Sequence, residues 1–129
     1  MKSEAVVQTE VMLELSKRGA RGWKNTSGVF RTEDGRTIRA GLGNISTRVN
    51  KVMKSSDIIA ACPVTITPDM VGKTVAVFSA IECKKENHVI NLNNPHMKAQ
   101  ENFLTLVRGL GGFGGFLSDV NQLDDILTL

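Results

Sequence analysis

Tyrosine is absent from this chain, tryptophan occurs once, and all aromatics together make up 5% of it. That scarcity argues against a single-strand nucleic-acid binder built on stacked aromatic platforms. Cysteine is almost as scarce. Cys62 and Cys83 are too few for a disulfide framework, and the simplest reading is a reduced, intracellular protein. No run approaches the roughly 20 apolar residues of a membrane span. The opening stretch, MKSEAVVQTEVMLEL, carries acids inside its apolar region, unlike a signal peptide. There is no internal repeat and no low-complexity tract.

What is present suits one packed domain over residues 1–129: hydrophobic content is 41%, well above that of disordered chains. Net charge is +3, unevenly spread. Lys17, Arg18, Arg21, Lys24, Arg31, Arg36, Arg39, Arg48, Lys51 and Lys54 face only Glu33 and Asp34 in the same stretch. Asp119, Asp124 and Asp125 then end the chain without a Lys or Arg beside them. A basic half points to a polyanionic partner, most simply nucleic acid. An ordinary solvated face is the competing reading.

Periodicity predicts a helix over 3–18, ended by Gly19, with Val7, Val11 and Leu15 on one stripe and Glu4 inside that stripe. Glu10 and Glu14 fall toward the edge, near Lys17 and Arg18. Residues 29–31 and 36–39 pair as a hairpin around Asp34-Gly35. Residues 41–54 read as a basic, mobile loop. A strand over 55–66 is interrupted at Pro63, and Pro68 opens a turn or short helical turn. KTVAVFSAIECK (73–84) is the strongest strand, with the near-continuous apolar character of one buried on both faces. After a polar loop, residues 97–108 form a helix presenting Gln100, Phe103, Leu104 and Val107. The glycine-rich 109–115 leads through Phe116 and Leu117. Ser118 then caps a last helix, 119–127. The order is that of a layered α/β domain.

The chemistry centres on Glu82-Cys83-Lys84 at the end of the strongest strand. Side chains alternate along a strand, so Glu82 and Lys84 share a face and Cys83 points away. They can form a plain ion pair, or the Glu can hold a metal while the Lys stabilises developing negative charge. An E-x-K alone is a weak signal. Asp57 begins the preceding strand, and if the strands are neighbours the two carboxylates meet and repel unless a cation lies between them. Oxygen-only ligation suits Mg²⁺ or Mn²⁺. Glu4 could add a third carboxylate and Gln100 an amide at the rim. Each also has a plainer role: Glu4 as a helix N-terminal acid, Asp57 as a turn cap, Gln100 as an amide satisfying backbone groups. His88 and His96, in a polar loop, suit surface positions or DNA contacts better than a zinc site. GLGGFGG lacks a preceding strand and a following Lys-Ser/Thr, so it is a tight turn and not a phosphate-binding P-loop.

A helix Glu, then Asp, then E-x-K resembles the PD-(D/E)XK nuclease superfamily. Within it, the chain is similar to the VRR-NUC (virus-type replication-repair nuclease) family, in its small stand-alone phage and prophage form. ExxVQ at 4–8, NTSG at 25–28, SSDII at 55–59, the stretch from Pro63 to Lys84, and Gln100 with Phe103 followed by Gly111-Gly112 carry the likeness in order. Lys54 stands where many members have Gly, and Cys83 where Val is common.

The resemblance implies a restriction-endonuclease-like core, a central mixed sheet flanked by helices. It implies a metal-dependent DNA phosphodiesterase working as a homodimer on four-way junctions, inside a bacterial host. Glu4, Asp57, Glu82, Lys84 and Gln100 would be catalytic, with Gln8 in support. Asp57, Glu82, Glu4 and the Cys83 carbonyl would hold the metal. Lys24, Arg31, Arg36, Arg39, Arg48, Lys51, Lys54 and Lys85 would hold DNA. The alternatives are a flap or duplex nuclease with little structure preference, a non-catalytic DNA-binding module, and an intracellular protein docking an acidic partner.

Overall fold

The computed structural model describes residues 1–129 as an α/β protein. In chain order the elements are α1 (Glu4–Lys17), β1 (Arg21–Lys24), β2 (Gly28–Arg31), β3 (Thr37–Ala40), α2 (Thr47–Val52), β4 (Ile58–Ala61), β5 (Ser79–Cys83), α3 (Pro95–Gly109), β6 (Phe113–Leu117) and α4 (Leu123–Ile126). Short 3-10 turns cover Pro68–Met70 and Val120–Gln122. In place of one central sheet, the strands pair as three two-stranded sheets: β1 with β4, β2 with β3, and β5 with β6. Contacts divide the chain into two compact units, Met1–Ala60 and Ala61–Leu129.

In the first unit, the Ser3 hydroxyl caps α1 by accepting from the Val6 amide at 3.3 Å. The half-buried positions of α1 are Gln8, Met12 and Leu15, one helical stripe. Met12 and Leu15 lie on Gly22 of β1, where a Cβ would come within 3.0 Å of both side chains. Gln8 lies near Lys24 and Asn25. Glu4 belongs to the same face one turn earlier, where β1 has already ended, and it is exposed rather than aimed into a core. Glu14 pairs with Arg18 at 3.1 Å as a surface helix acid does, and Glu10 pairs with Lys2.

The hairpin forms as its turn dipeptide predicts, in antiparallel register from Gly28↔Ala40 to Arg31↔Thr37. Its turn is closed by the Thr32 amide donating to the Arg36 carbonyl at 2.8 Å and by an Arg36–Asp34 pair at 2.9 Å. The next segment differs from expectation. Residues 47–52 are helical because the Ser46 hydroxyl accepts from the Val49 amide at 3.2 Å, an N-cap masked by the polar, basic composition around it.

In the second unit, β5 and β6 are parallel, from Ser79↔Phe113 to Cys83↔Leu117. α3 makes the crossover between them and packs on both strands. It begins at Pro95, ahead of the predicted start, because Asn94 caps it and Pro is tolerated in a first turn. Leu104 and Val107 are its buried residues. The glycine run is explained by this packing. A Cβ on Gly112 would stand 2.6 Å from the Phe78 carbonyl oxygen and 2.7 Å from Val107 Cγ1, and one on Gly114 would stand 3.1 Å from the Leu104 carbonyl oxygen.

Two further expectations change here. Residues 73–78 are not strand, and β5 is a short strand with alternating exposure, in which Ile81, on the face opposite Glu82, is exposed. The final helical segment is capped by Asp119, one residue later than predicted, in a capping box with Gln122.

Candidate active site

The residues singled out by the sequence fall into two groups, one in each unit. In the first, Gln8, Asn25, Ser55 and Asp57 come from three separated motifs and line one polar cavity of about 290 Å³, together with Lys24, Thr26 and Ser27. Asn25 ties the group together. Its side-chain Nδ2 donates to Ser55 Oγ at 2.7 Å and to the Ser56 carbonyl at 2.9 Å. Its own amide donates to the Asp57 carbonyl at 2.8 Å, and its Oδ1 accepts from the Leu42 amide at 3.3 Å. Asp57 is therefore positioned through its backbone, with the residue exposed. Glu4 joins indirectly, its Oε1 accepting from Gln8 Nε2 at 3.3 Å.

The second group is Glu82, Lys84 and Gln100. Glu82 and Lys84 are half-buried and Cys83 between them is exposed, the alternation expected of a strand end. The Lys84 amide extends the ladder by donating to the Leu117 carbonyl at 2.8 Å. Lys84 Nζ lies 3.7 Å from Glu82 Oε1, too long for a hydrogen bond. The link is made by Gln100 on α3. Its Nε2 donates to Glu82 Oε1 at 2.7 Å, and its Oε1 accepts from Lys84 Nζ at 2.7 Å. Only this orientation of the amide satisfies both neighbours, since a carboxylate only accepts and an ammonium only donates.

The Lys84 side chain is 14% exposed against 36% for Glu82. The cation is thus the better shielded of the two, and it also stands 5.8 Å over the Phe116 ring. Glu82 and Gln100 open onto a cavity of about 560 Å³ between β5 and α3, whose wall includes Phe78, Ile81, His96 and Phe103.

The predicted DNA-contact residues divide by what already holds them. Lys24, Arg31, Arg48, Lys51 and Lys85 are exposed. Arg36 is held by Asp34, and Lys54 Nζ donates to Asn50 Oδ1 at 2.5 Å. The Asp34 carboxyl is kept below the usual carboxylate range, first by its hydrogen bond from Thr32. Arg39 is half-buried and donates to Asn44 Oδ1 at 2.7 Å and to the Thr47 hydroxyl, fastening β3 to the start of α2.

Sequence reasoning missed two residues. Asn44 is 7% exposed and its Nδ2 donates to the Gly28 and Ala40 carbonyls, both at 3.0 Å. An Asn directly after two turn glycines, just past a hairpin, is the only signal the sequence held for it. His88, expected at the surface or in contact with DNA, has a buried Nε2 without a hydrogen-bond partner.

No position gathers three or more His, Cys, Asp or Glu side chains. No helix is long and apolar enough to cross a membrane. Comparison with protein-family models, curated proteins and solved structures finds no match.

Proposed function

We propose that the protein is a divalent-metal-dependent DNA endonuclease, cutting phosphodiester bonds in branched DNA such as a four-way junction and working as a homodimer. The observation that carries this reading is the Glu82–Gln100–Lys84 chain. A strand end fixes a carboxylate and an ammonium on one face, and a single amide orients both.

The donor types suit a hard cation. Both contacts of Glu82 fall on Oε1, so Oε2 is the oxygen it can turn toward an ion. Glu82, with the Cys83 carbonyl beside it, offers oxygen donors that would hold Mg²⁺ or Mn²⁺, and Asp57 and Glu4 offer the same donor type in the first unit. Bound there, the ion would polarise a phosphate oxygen and lower the pKa of a coordinated water. Lys84 carries the positive charge that offsets negative charge building up on phosphorus. Gln100 keeps the Lys84 ammonium and the Glu82 carboxylate at fixed positions. Exposed Lys24, Arg31, Arg48, Lys51 and Lys85 hold the DNA backbone without reading sequence.

Incubation with a labelled four-way junction, a flap and a linear duplex tests the reading. Wild-type protein cuts the junction in Mg²⁺ and not in EDTA, and Asp57→Asn and Lys84→Ala each lower the rate by about 100-fold or more. Cleavage that both variants retain contradicts it.

A further inference from the structure

We infer that His88 and Lys84 form a subsite for one phosphate group, adjoining the Glu82–Lys84 pair. This rests on the reading of Lys84 as a phosphate-facing cation. The starting observation is the buried, unpartnered Nε2 of His88. Buried polar groups nearly always have a partner, and one without a partner calls for an explanation.

His88 lines a small cavity of about 90 Å³ that also borders Lys84, Ser118 and Gln122, several times the space one water needs. Its remaining wall is Ile90, Phe116 and Leu117, and no Asp or Glu lines it. Donors beside an apolar wall, free of competing carboxylates, favour an anion over a cation.

Lys84 can serve both neighbours. An ammonium has three N–H donors, and Gln100 Oε1 takes one at 2.7 Å. Another can reach an oxygen in the small cavity, where His88, in the tautomer with its proton on Nε2, donates to a second oxygen of the same phosphate. The Ser118 amide and hydroxyl already face Gln122 Oε1, at 2.7 and 3.5 Å, and hold the far wall in place. The chemistry is that of either an internal backbone phosphate or the terminal phosphate of a nicked strand.

The test is a titration of inorganic phosphate into the isotope-labelled full chain in EDTA, at constant ionic strength, following the imidazole signals of both histidines by NMR. The His88 signal shifts saturably while that of His96, in the larger cavity, barely moves. In Lys84→Met the affinity falls by about tenfold or more, the loss expected for a charge-assisted contact. A His88 signal that stays still, or that only drifts in step with His96, overturns the subsite, and the wild-type titration decides this whatever the variant's fold. Short oligonucleotides with and without a 5′-phosphate then identify the source. Shifts with both indicate an internal phosphate, a shift with the phosphorylated one alone indicates a terminal phosphate, and none with either overturns the proposal. DNA cleavage plays no part in the readout, so the subsite and the nuclease reading can fail separately.

Discussion

The two groups of site residues are built on opposite plans. In the first unit Asp57 is placed by the backbone. Asn25 donates to its carbonyl, and to Ser55 and Ser56 just before it, while the residue itself stands exposed beside a polar cavity. In the second unit the side chains themselves are fixed. Gln100 bonds both Glu82 and Lys84, and the ammonium is largely removed from solvent. A hydrated carboxylate on a positioned loop can adapt to an incoming ligand. A pair locked by an amide is organised beforehand, and this is where electrostatic stabilisation of a transition state is strongest. The second unit holds its charges fixed in advance, and the first holds an exposed carboxylate that can reorient.

Substitutions can break that contrast. Gln100→Leu removes both hydrogen bonds at a half-buried position while leaving Glu82 and Lys84 in place. The rate of junction cleavage falls by about 10- to 100-fold, the usual cost of losing an orienting partner, and stability falls by about 1–3 kcal/mol because the shielded Lys84 ammonium loses its acceptor. A rate within a factor of about two of wild type would mean that the amide does not organise the pair. Asn25→Ala acts on the other plan. It removes the hydrogen bonds to Ser55 and to the Ser56 carbonyl and loosens the segment carrying Asp57, costing about 0.5–1.5 kcal/mol in denaturant unfolding. Full stability in this variant would remove Asn25 as the tie.

The smallest effect is expected outside both groups, at the hairpin turn. The Asp34 carboxyl is held low by Thr32 and Arg36, so it stays charged in the folded hairpin at a pH where the unfolded chain has begun to take up protons. Its contribution is present above the ordinary carboxylate range and fades as pH falls through and below about 4. Protection of the Thr32 and Gly35 amides from hydrogen exchange, relative to the intrinsic rate at each pH, should fall on acidification in wild type, and Asp34→Asn should flatten that dependence.

Much of this was legible in the sequence, and the exceptions have physical reasons. Asp34-Gly35 named its hairpin because turn chemistry is local. The strand period put Glu82 and Lys84 on one face, and the helical period brought Gln100 and Leu104 to the side of α3 that meets β5 and β6. The α1 stripe was misjudged by a small rotation, since Val7 and Val11 outrank Gln8 and Met12 in hydropathy, but the half-buried face is the one that β1 covers. Burial of residues 73–78 was overestimated because apolar character reports what a segment tolerates and carries no information on whether a second strand will cover it. The Ser46 cap of α2 and the Asn44 network were hidden in a stretch whose basic charge drew the reading toward a loop. His88 gave no signal at all, because an orphaned ring nitrogen is a property of its surroundings.

The central proposal is that Glu82, oriented by Gln100, binds a divalent metal ion through its second carboxylate oxygen. Mn²⁺ affinity, measured by calorimetry on wild type and Glu82→Gln, tests it most directly. The account predicts that Glu82→Gln binds Mn²⁺ far more weakly than wild type. A Glu82→Gln protein that binds Mn²⁺ as wild type does would contradict it.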